Sequence, residues 1–291
     1  MPPPSSGGVL LIQMLNMIEP YDVGSMGYGS ANVMHLMIEA ERRAYADRAE
    51  HLGDPDFYPV PVGQLVDKDY ARNRFGGFDP DQAGKSGDVD AGAFAPESKE
   101  TTHLSIMDRN GNAVALTTTL NSGYGSHIVV DGAGFLLNNE MDDFSSKPNT
   151  LNQFNLIGRE ANAIEPRKRM LSSMTPTIVL QEGKPLLVTG SPGGSTIITT
   201  VLQVVVNVID HGMALSAAVS SPRFHHQWIP DSITVEADSF SADTLDALRT
   251  KGHSDIRPAR YGLGDANSVM RVNGVLHGVE DPRTQGGAAG Y

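Results

Sequence analysis

The period of the hydrophobic pattern changes at one point in this 291-residue chain and divides it into two unlike parts. Before Thr101, apolar residues recur every three to four positions, which is typical of helices. From Thr102 onward they alternate, which is typical of strands. Between the two lies a Gly-, Ala-, Asp- and Pro-rich run without periodicity, residues 76–99, which indicates a linker or a processed loop. The chain therefore predicts a helical segment, residues 1–100, joined to a sheet layered with helices, residues 101–291.

Helix signals are clearest in the first part. Ser6 is a candidate N-cap for a helix over residues 8–18, and Ser30 for a helix that ends near Arg48. Apolar residues of the second helix fall on one face, which indicates core packing: Val33, Met34, Met37, Ala40, Ala44 and Tyr45.

In the second part, the first strand places Thr102, Leu104 and Ile106 on one side, and a return strand follows over residues 113–120. Because apolar residues occupy both faces of these strands, we expect the sheet to be covered on both sides. Further strands are predicted at residues 135–138, 177–181, 185–189 and 233–235, with a long apolar helix at residues 196–210.

Composition narrows the possible functions. A formal charge of −12 disfavours nucleic-acid partners, since an acidic surface repels phosphates. The chain has no cysteine, which excludes disulfides, thiolate zinc sites and a cysteine nucleophile. It also lacks a run of about 18 apolar residues, so we predict no membrane span, and its start does not have the pattern of a signal peptide. Neither Asp54 with Asp56 nor His225 with His226 has metal-site spacing, so no metal or cofactor is predicted.

Thr101 lies where the linker meets the first strand. If the chain cut itself between Glu100 and Thr101, Thr101 would carry a free α-amine beside its own hydroxyl. Such an amine, with a pKa of about 7.7–8.0, is a suitable base for a hydroxyl nucleophile. A threonine is also a common strand residue, so this position alone leaves both interpretations open.

Three further clusters contain residues that could bind substrate or stabilise a reaction intermediate. Gly193 and Gly194 precede the long helix, where backbone N–H groups and the helix dipole can stabilise an oxyanion, although an ordinary strand-to-helix turn fits equally. The acidic run at residues 138–143 can hold an ammonium group or form a solvated loop. Ser172 and Ser173 can bind a carboxylate or form a turn. His103, which lies two positions after Thr101, is interpreted as a structural residue.

Taken together, five spaced motifs resemble γ-glutamyltransferases, and the likeness covers essentially the whole chain. The motifs are Thr101-Thr102-His103-x-Ser105, Thr119-Leu120-Asn121, Leu137-Asn138-Asn139-Glu140-Met141-Asp142-Asp143-Phe144, Ser172-Ser173-Met174-x-Pro176-Thr177 and Gly190-Ser191-Pro192-Gly193-Gly194-Ser195. Residues 222–228 and the terminal Ala289-Gly290-Tyr291 resemble the bacterial members.

The resemblance implies an α/β fold of the N-terminal-nucleophile hydrolase type, an αββα four-layer sandwich that we expect to be incomplete at the N-terminus. It implies a precursor that cuts itself into subunits that stay together, with residues 1–100 ending the large subunit and residues 101–291 forming the small one. It further implies a periplasmic or secreted location. Glutathione and related γ-glutamyl compounds would be donors, and water, an amino acid or a peptide would be the acceptor.

The resemblance also assigns roles to residues. Thr101 corresponds to the nucleophile, Thr119 to the hydroxyl that helps to activate it, and Gly193 and Gly194 to the oxyanion-hole amides. The γ-glutamyl group would be held by Asn121, Glu140, Asp143, Ser172 and Ser173.

Two alternatives remain from the sequence. One is a related acylase that removes glutaryl groups from cephalosporins, although Glu140 and Asp143 favour a substrate with an α-amino group. The other is an inactive, truncated fragment of the family, since the family's carboxylate-binding arginine lies in a region that precedes this sequence. Residues 145–169 match the family's lid loop, with Phe154 where many bacterial members have tyrosine.

Overall fold

The computed structural model describes residues 1–89, 101–145 and 159–290. Glu100, beside the predicted cleavage bond, and Phe154, in the predicted lid loop, lie outside the described residues. Within the described ranges, no helix is both long and apolar enough to cross a membrane.

Helices fill the first part of the chain, as predicted. They are α1 (Gly7–Ile18), α2 (Val23–Met26), α3 (Ala31–His51), α4 (Val62–Leu65) and α5 (Lys68–Phe75). The Ser30 side chain caps α3 by accepting a hydrogen bond from the Val33 N–H at 3.2 Å. Ser6 precedes α1, but its side chain does not cap that helix. Its hydroxyl instead donates to the Ser172 carbonyl at 2.7 Å, because α1 begins against the second part of the chain.

The described residues of the second part contain nine strands and three α-helices. The strands are β1 (Thr101–Met107), β2 (Ala113–Thr119), β3 (Thr177–Gln181), β4 (Lys184–Thr189), β5 (Phe224–His225), β6 (Ile233–Val235), β7 (Ile256–Pro258), β8 (Ser268–Val272) and β9 (Val275–Val279). The helices are α6 (Thr196–Ile209), α7 (Leu215–Ser220) and α8 (Ala242–Thr250). Strands β1 and β2 form an antiparallel hairpin, β3-β4-β8-β9 form a four-stranded sheet, and β5-β6-β7 form a small third sheet.

The prediction of a strand at residues 135–138 is wrong. That segment contributes only an isolated bridge between Leu136 and Val129. Gly132 and Gly134 take positive φ angles of 75° and 74°, which reverse the chain tightly and leave no length for a regular ladder.

Packing produces layers in the order helices, sheet and hairpin. Helices α1, α3 and α6 contact one another or share one core, and α7 packs against β8 and β9 of the four-stranded sheet. The hairpin contacts the sheet through β3, β4 and β8. The long apolar helix predicted at residues 196–210 is confirmed as α6, whose side chains are almost all buried.

The hairpin alternates as predicted, yet only one of its faces is covered. His103 and Met107 point into the protein and are buried. On the opposite face, Leu104, Ile106 and Leu116 are about half exposed, at 49%, 47% and 51%. The prediction that both faces are covered is therefore wrong for the part of the chain that the structure describes. An apolar sheet face of this kind is typical of a packing surface.

Candidate active site

The hairpin places Thr101 and Thr119 directly opposite each other. They are register partners at the open end of the β1–β2 ladder. The Thr101 hydroxyl donates to Thr119 Oγ1 at 3.1 Å, and the Asn121 N–H donates to the same oxygen at 2.9 Å. The hydrogen bond to Thr119 thereby holds the Thr101 side chain in one orientation.

Asn121 connects this pair to the acidic loop. It is buried and has a φ angle of 76°, a left-handed conformation that asparagine tolerates better than most residues. Its amide donates to the Asn139 carbonyl at 3.3 Å. The Asn139 side chain in turn accepts from the Ser122 N–H at 3.0 Å and donates to Ser122 Oγ at 3.0 Å. The end of β2 and the acidic loop are therefore held together.

Two carboxyl groups in the acidic loop are partly shielded from water. Glu140 and Asp143 lie on one short 3-10 helix, and burial raises the pKa of Glu140. Burial, together with the negative charge of Glu140, raises the pKa of Asp143 to about 8, against the opposing effect of the Arg48 cation. Carboxyl groups with raised pKa values are typical of functional sites, and a bound ammonium group would stabilise their charged forms.

The two candidate carboxylate-binding serines are held by residues near the start of the chain. Ser172 pairs with Ser5 in a parallel bridge, and the Ser172 hydroxyl donates to Ser5 Oγ at 2.9 Å. The Ser173 oxygen accepts a hydrogen bond from a terminal guanidinium nitrogen of Arg48 at 3.3 Å. Arg48 lies outside the five sequence motifs, and its only signal in the sequence is a basic residue at the end of a predicted helix.

Backbone geometry at Gly193 and Gly194 requires glycine. Their φ angles are 134° and 59°, and a Cβ added at Gly193 would lie 2.5 Å from Thr196 Oγ1. The Gly193 carbonyl accepts from the Thr196 N–H at 3.1 Å and from its hydroxyl at 2.8 Å, so it is turned towards α6. The Tyr45 hydroxyl from α3 donates to the Ser195 carbonyl and fixes the end of the loop.

His103 connects the hairpin to the glycine-rich loop. Its imidazole hydrogen-bonds Thr117 Oγ1 at 2.8 Å and Ser105 Oγ at 2.9 Å, and burial lowers its pKa to about 4. The ring lies so close to Gly190 that a Cβ there would be 2.2 Å from Cε1. A neutral, fully hydrogen-bonded imidazole of this kind has a packing role.

Hydrogen bonds thus join the predicted residues in two groups. Thr101, Thr119 and Asn121 form one chain of contacts that leads into the acidic loop. Ser172 and Ser173 are held from Ser5, Ser6 and Arg48, and Arg48 also interacts electrostatically with Asp143. Gly193 and Gly194 are positioned separately, by the start of α6.

Asn162 also contributes, although it lies outside the five sequence motifs. It is buried, its amide donates to the Asp143 carbonyl at 2.7 Å, and its side-chain oxygen accepts from the Leu171 N–H at 3.0 Å. It therefore links the acidic loop to the segment that leads into Ser172.

Among the described residues, His35, Glu39 and His253 bring three potential metal ligands within 4.8 Å of one another. The Glu39 carboxylate already accepts from Arg42 Nε at 3.1 Å and from Arg43 at 2.6 Å. His35 Nδ1 lies 2.8 Å from His253 Nε2, which is a hydrogen bond. We assign the cluster to packing. A cavity of about 860 Å³ adjoins it, lined by His253 and Asp231 among others, and Thr101 does not line that cavity.

Comparisons with known proteins give one consistent result. The sequence profile described as gamma-glutamyltranspeptidase matches residues 1–291. The glutathione hydrolase proenzyme of Escherichia coli (strain K12) is 51% identical over 286 residues, which are 98% of this chain and 49% of that protein. This chain therefore spans about half the length of the curated relatives it matches.

Solved structures agree with the sequence matches. Gamma-glutamyltranspeptidase from Pseudomonas nitroreducens, complexed with L-DON, is 46% identical with a TM-score of 0.62 and covers 65% of this chain and 99% of its own. Cephalosporin acylase from Bacillus halodurans is 27% identical with a TM-score of 0.84 and covers all of this chain and 50% of its own. These matches confirm the predicted α/β fold of the N-terminal-nucleophile hydrolase type. On sequence and structure alike, the chain belongs to the gamma-glutamyltranspeptidase family.

Proposed function

We propose that this chain forms the catalytic part of a self-cleaving γ-glutamyltransferase and glutathione hydrolase. The observation that supports this most directly is the hydrogen bond from Thr101 to Thr119 at the first residue of β1. It places a hydroxyl nucleophile where cleavage after Glu100 would give it a free α-amine. The related proenzyme from Escherichia coli, named a glutathione hydrolase, supports the substrate class.

In the proposed reaction, the α-amine of Thr101 takes the hydroxyl proton as the oxygen attacks the γ-carbonyl carbon of a γ-glutamyl amide. The negative charge that develops on the carbonyl oxygen is stabilised by the N–H groups of Gly193 and Gly194. The amide C–N bond breaks, the proton passes to the leaving amine, and a γ-glutamyl ester remains on Thr101. Water or an amino acid then attacks the ester and regenerates the Thr101 hydroxyl.

Substrate recognition would use both ends of the amino-acid group. Glu140 and Asp143 would hold the α-ammonium, with Asn121 beside them, and Ser172 and Ser173 would bind the α-carboxylate, with the Ser173 hydroxyl as a donor. The raised pKa of Asp143 supports this assignment, because an ammonium group bound beside the carboxyl group would stabilise its charged form.

We assign residues 1–100 and 101–291 to the large and small subunits of one precursor, and the protein to the periplasm or the exterior of the cell. Contacts across the boundary support subunits that stay together after cleavage. Trp228 Nε1 donates to the Val89 carbonyl at 2.8 Å, and Arg48 contacts Ser173. Helices α1 and α3 share one buried core with α6.

A cephalosporin or glutaryl acylase is the second candidate, favoured by the acylase structure that covers the whole chain. Its substrate would not require an ammonium-binding pair of carboxylates. Comparing hydrolysis of L-γ-glutamyl-p-nitroanilide with hydrolysis of glutaryl-p-nitroanilide separates the two. Preferential turnover of the glutaryl compound would replace the first proposal by the second.

Intact mass analysis of the purified chain tests self-cleavage. We expect fragments of 100 and 191 residues, since 291 − 100 = 191. The Thr101→Ala variant should remain uncut because it lacks the attacking hydroxyl. The Thr102→Ala variant is the matched control, since Thr102 is exposed on the opposite side of β1, and it should be cut like the unaltered chain. An uncut native chain contradicts the proposal.

A further inference from the structure

Arg48 joins the two parts of the chain at the candidate carboxylate-binding serines. It lies near the end of α3, and only 4% of it is exposed. Its Nε donates to Ser6 Oγ at 2.9 Å, and a terminal nitrogen donates to Ser173 Oγ at 3.3 Å. The Ser6 hydroxyl in turn donates a hydrogen bond to the Ser172 carbonyl at 2.7 Å. One guanidinium thus fixes the side chain of Ser173 and, through Ser6, the backbone of Ser172.

The direction of these hydrogen bonds determines what Ser173 can do. Because Arg48 donates to the Ser173 oxygen, the Ser173 proton must point away from Arg48 and remains a donor. A hydroxyl whose oxygen accepts from a cation is a stronger donor, because each hydrogen bond in a chain polarises the next. The partner that suits such a donor is an anionic oxygen.

The positive charge of Arg48 also favours an anionic ligand near Ser173. A buried guanidinium acts through a medium of lower dielectric than water, so its attraction for a carboxylate near Ser173 is strong. Its planar, forked donors reach Ser6 and Ser173 at once, which the single ammonium of lysine does less well.

We propose that Arg48 is the positioning residue that makes the site selective for ligands with an α-carboxylate, acting through Ser173. This inference rests on the proposed function for the identity of the ligand, and it names a residue outside the motifs. L-Glutamate carries the α-carboxylate, and 4-aminobutyrate is the same molecule without it.

Isothermal titration calorimetry with these two ligands tests the inference without requiring turnover. The native chain should prefer L-glutamate, and Arg48→Met should weaken its binding at least tenfold, which is about 1.4 kcal/mol. Binding of 4-aminobutyrate should weaken much less, since Arg48 affects its ammonium group only through Asp143, so the preference collapses. Arg43→Met is the matched control, since Arg43 is a buried arginine of the same helix that bonds to Glu39, and it should keep the preference.

Arg48→Lys provides a second variant that retains the charge. It should recover part of the preference for L-glutamate, and it carries the test alone if Arg48→Met does not fold by circular dichroism. A preference as large as that of the native chain in Arg48→Met, or in Arg48→Lys where only that variant folds, overturns the inference. Equal weakening of both ligands, or a native chain with no preference, overturns it as well.

The same samples separate the inference from the proposed function. Hydrolysis of L-γ-glutamyl-p-nitroanilide by the native chain tests the reaction alone. A native chain that prefers L-glutamate through Arg48 but hydrolyses nothing refutes the proposed enzyme activity and supports the role of Arg48.

Discussion

Replacing Asp143 by asparagine should change how the stability of the protein depends on pH. Burial and the nearby Glu140 charge raise the pKa of Asp143 from 3.8 to about 8 in the folded state. The folded protein therefore retains a proton that the unfolded chain loses near pH 4. A carboxyl group with a raised pKa contributes stability below its unfolded pKa, and this contribution is lost as the pH rises through the folded value.

The magnitude follows from the pKa. Between pH 6 and pH 7 the folded state holds nearly one proton more than the unfolded state at this group, and this excess falls to about half a proton at pH 8. A full proton of difference lowers the free energy of unfolding by about 1.36 kcal/mol per pH unit, which gives about 2.7 kcal/mol between pH 6 and pH 9. Asp143 is partly exposed, and solvent screening reduces this to about 1.5–2.5 kcal/mol. Asparagine does not titrate, so the variant lacks this decline.

Urea unfolding at pH 6 and pH 9 measures the effect. The free energy of unfolding of Asp143→Asn, relative to that of the unaltered protein, should rise by about 1.5–2.5 kcal/mol between the two pH values. Asp142→Asn removes a carboxylate from the same turn and controls for net charge. A relative stability of Asp143→Asn that stays within about 0.5 kcal/mol across this range would refute the shielding argument.

Three further predictions concern packing and capping. Gly190→Ala places a Cβ 2.2 Å from the His103 ring and should lower the free energy of unfolding by about 1–3 kcal/mol in urea titrations. Gly87→Ala is the control, since a Cβ there meets nothing within 4 Å, and it should lower the free energy of unfolding much less. Equal effects of the two variants contradict the contact with His103. Ser30→Ala removes the α3 cap and should cost about 1 kcal/mol by the same measurement, and an unchanged midpoint argues against the cap. Burial lowers the pKa of His103 to about 4, so the contribution of its neutral form to stability is present above pH 6.5 and is lost as the pH falls towards 4. The free energy of unfolding of His103→Gln should therefore decline less steeply than that of the unaltered protein over that interval. An identical slope refutes the lowered pKa.

Local patterns determined much of the fold from sequence alone. Alternation after Thr101 predicted β1 and β2, because a strand places successive side chains on opposite faces whatever lies around it. Ser30 predicted the start of α3, since its cap joins residues only three positions apart. Five motifs in one order identified the family, and the comparisons confirmed it.

Contacts between distant residues were decided by tertiary structure. Arg48 and Ser173 are 125 positions apart, and no periodicity in either segment indicates that they meet. The sequence shows Gly190 only as one glycine of a motif and does not show that the His103 ring packs against it. The uncovered face of the hairpin was not predicted either, because alternation shows which side chains share a face but not what packs on it. The sequence thus determined many of the strands and helices and the candidate nucleophile, whereas the contact between Arg48 and Ser173 depends on the packing of α3 against that serine.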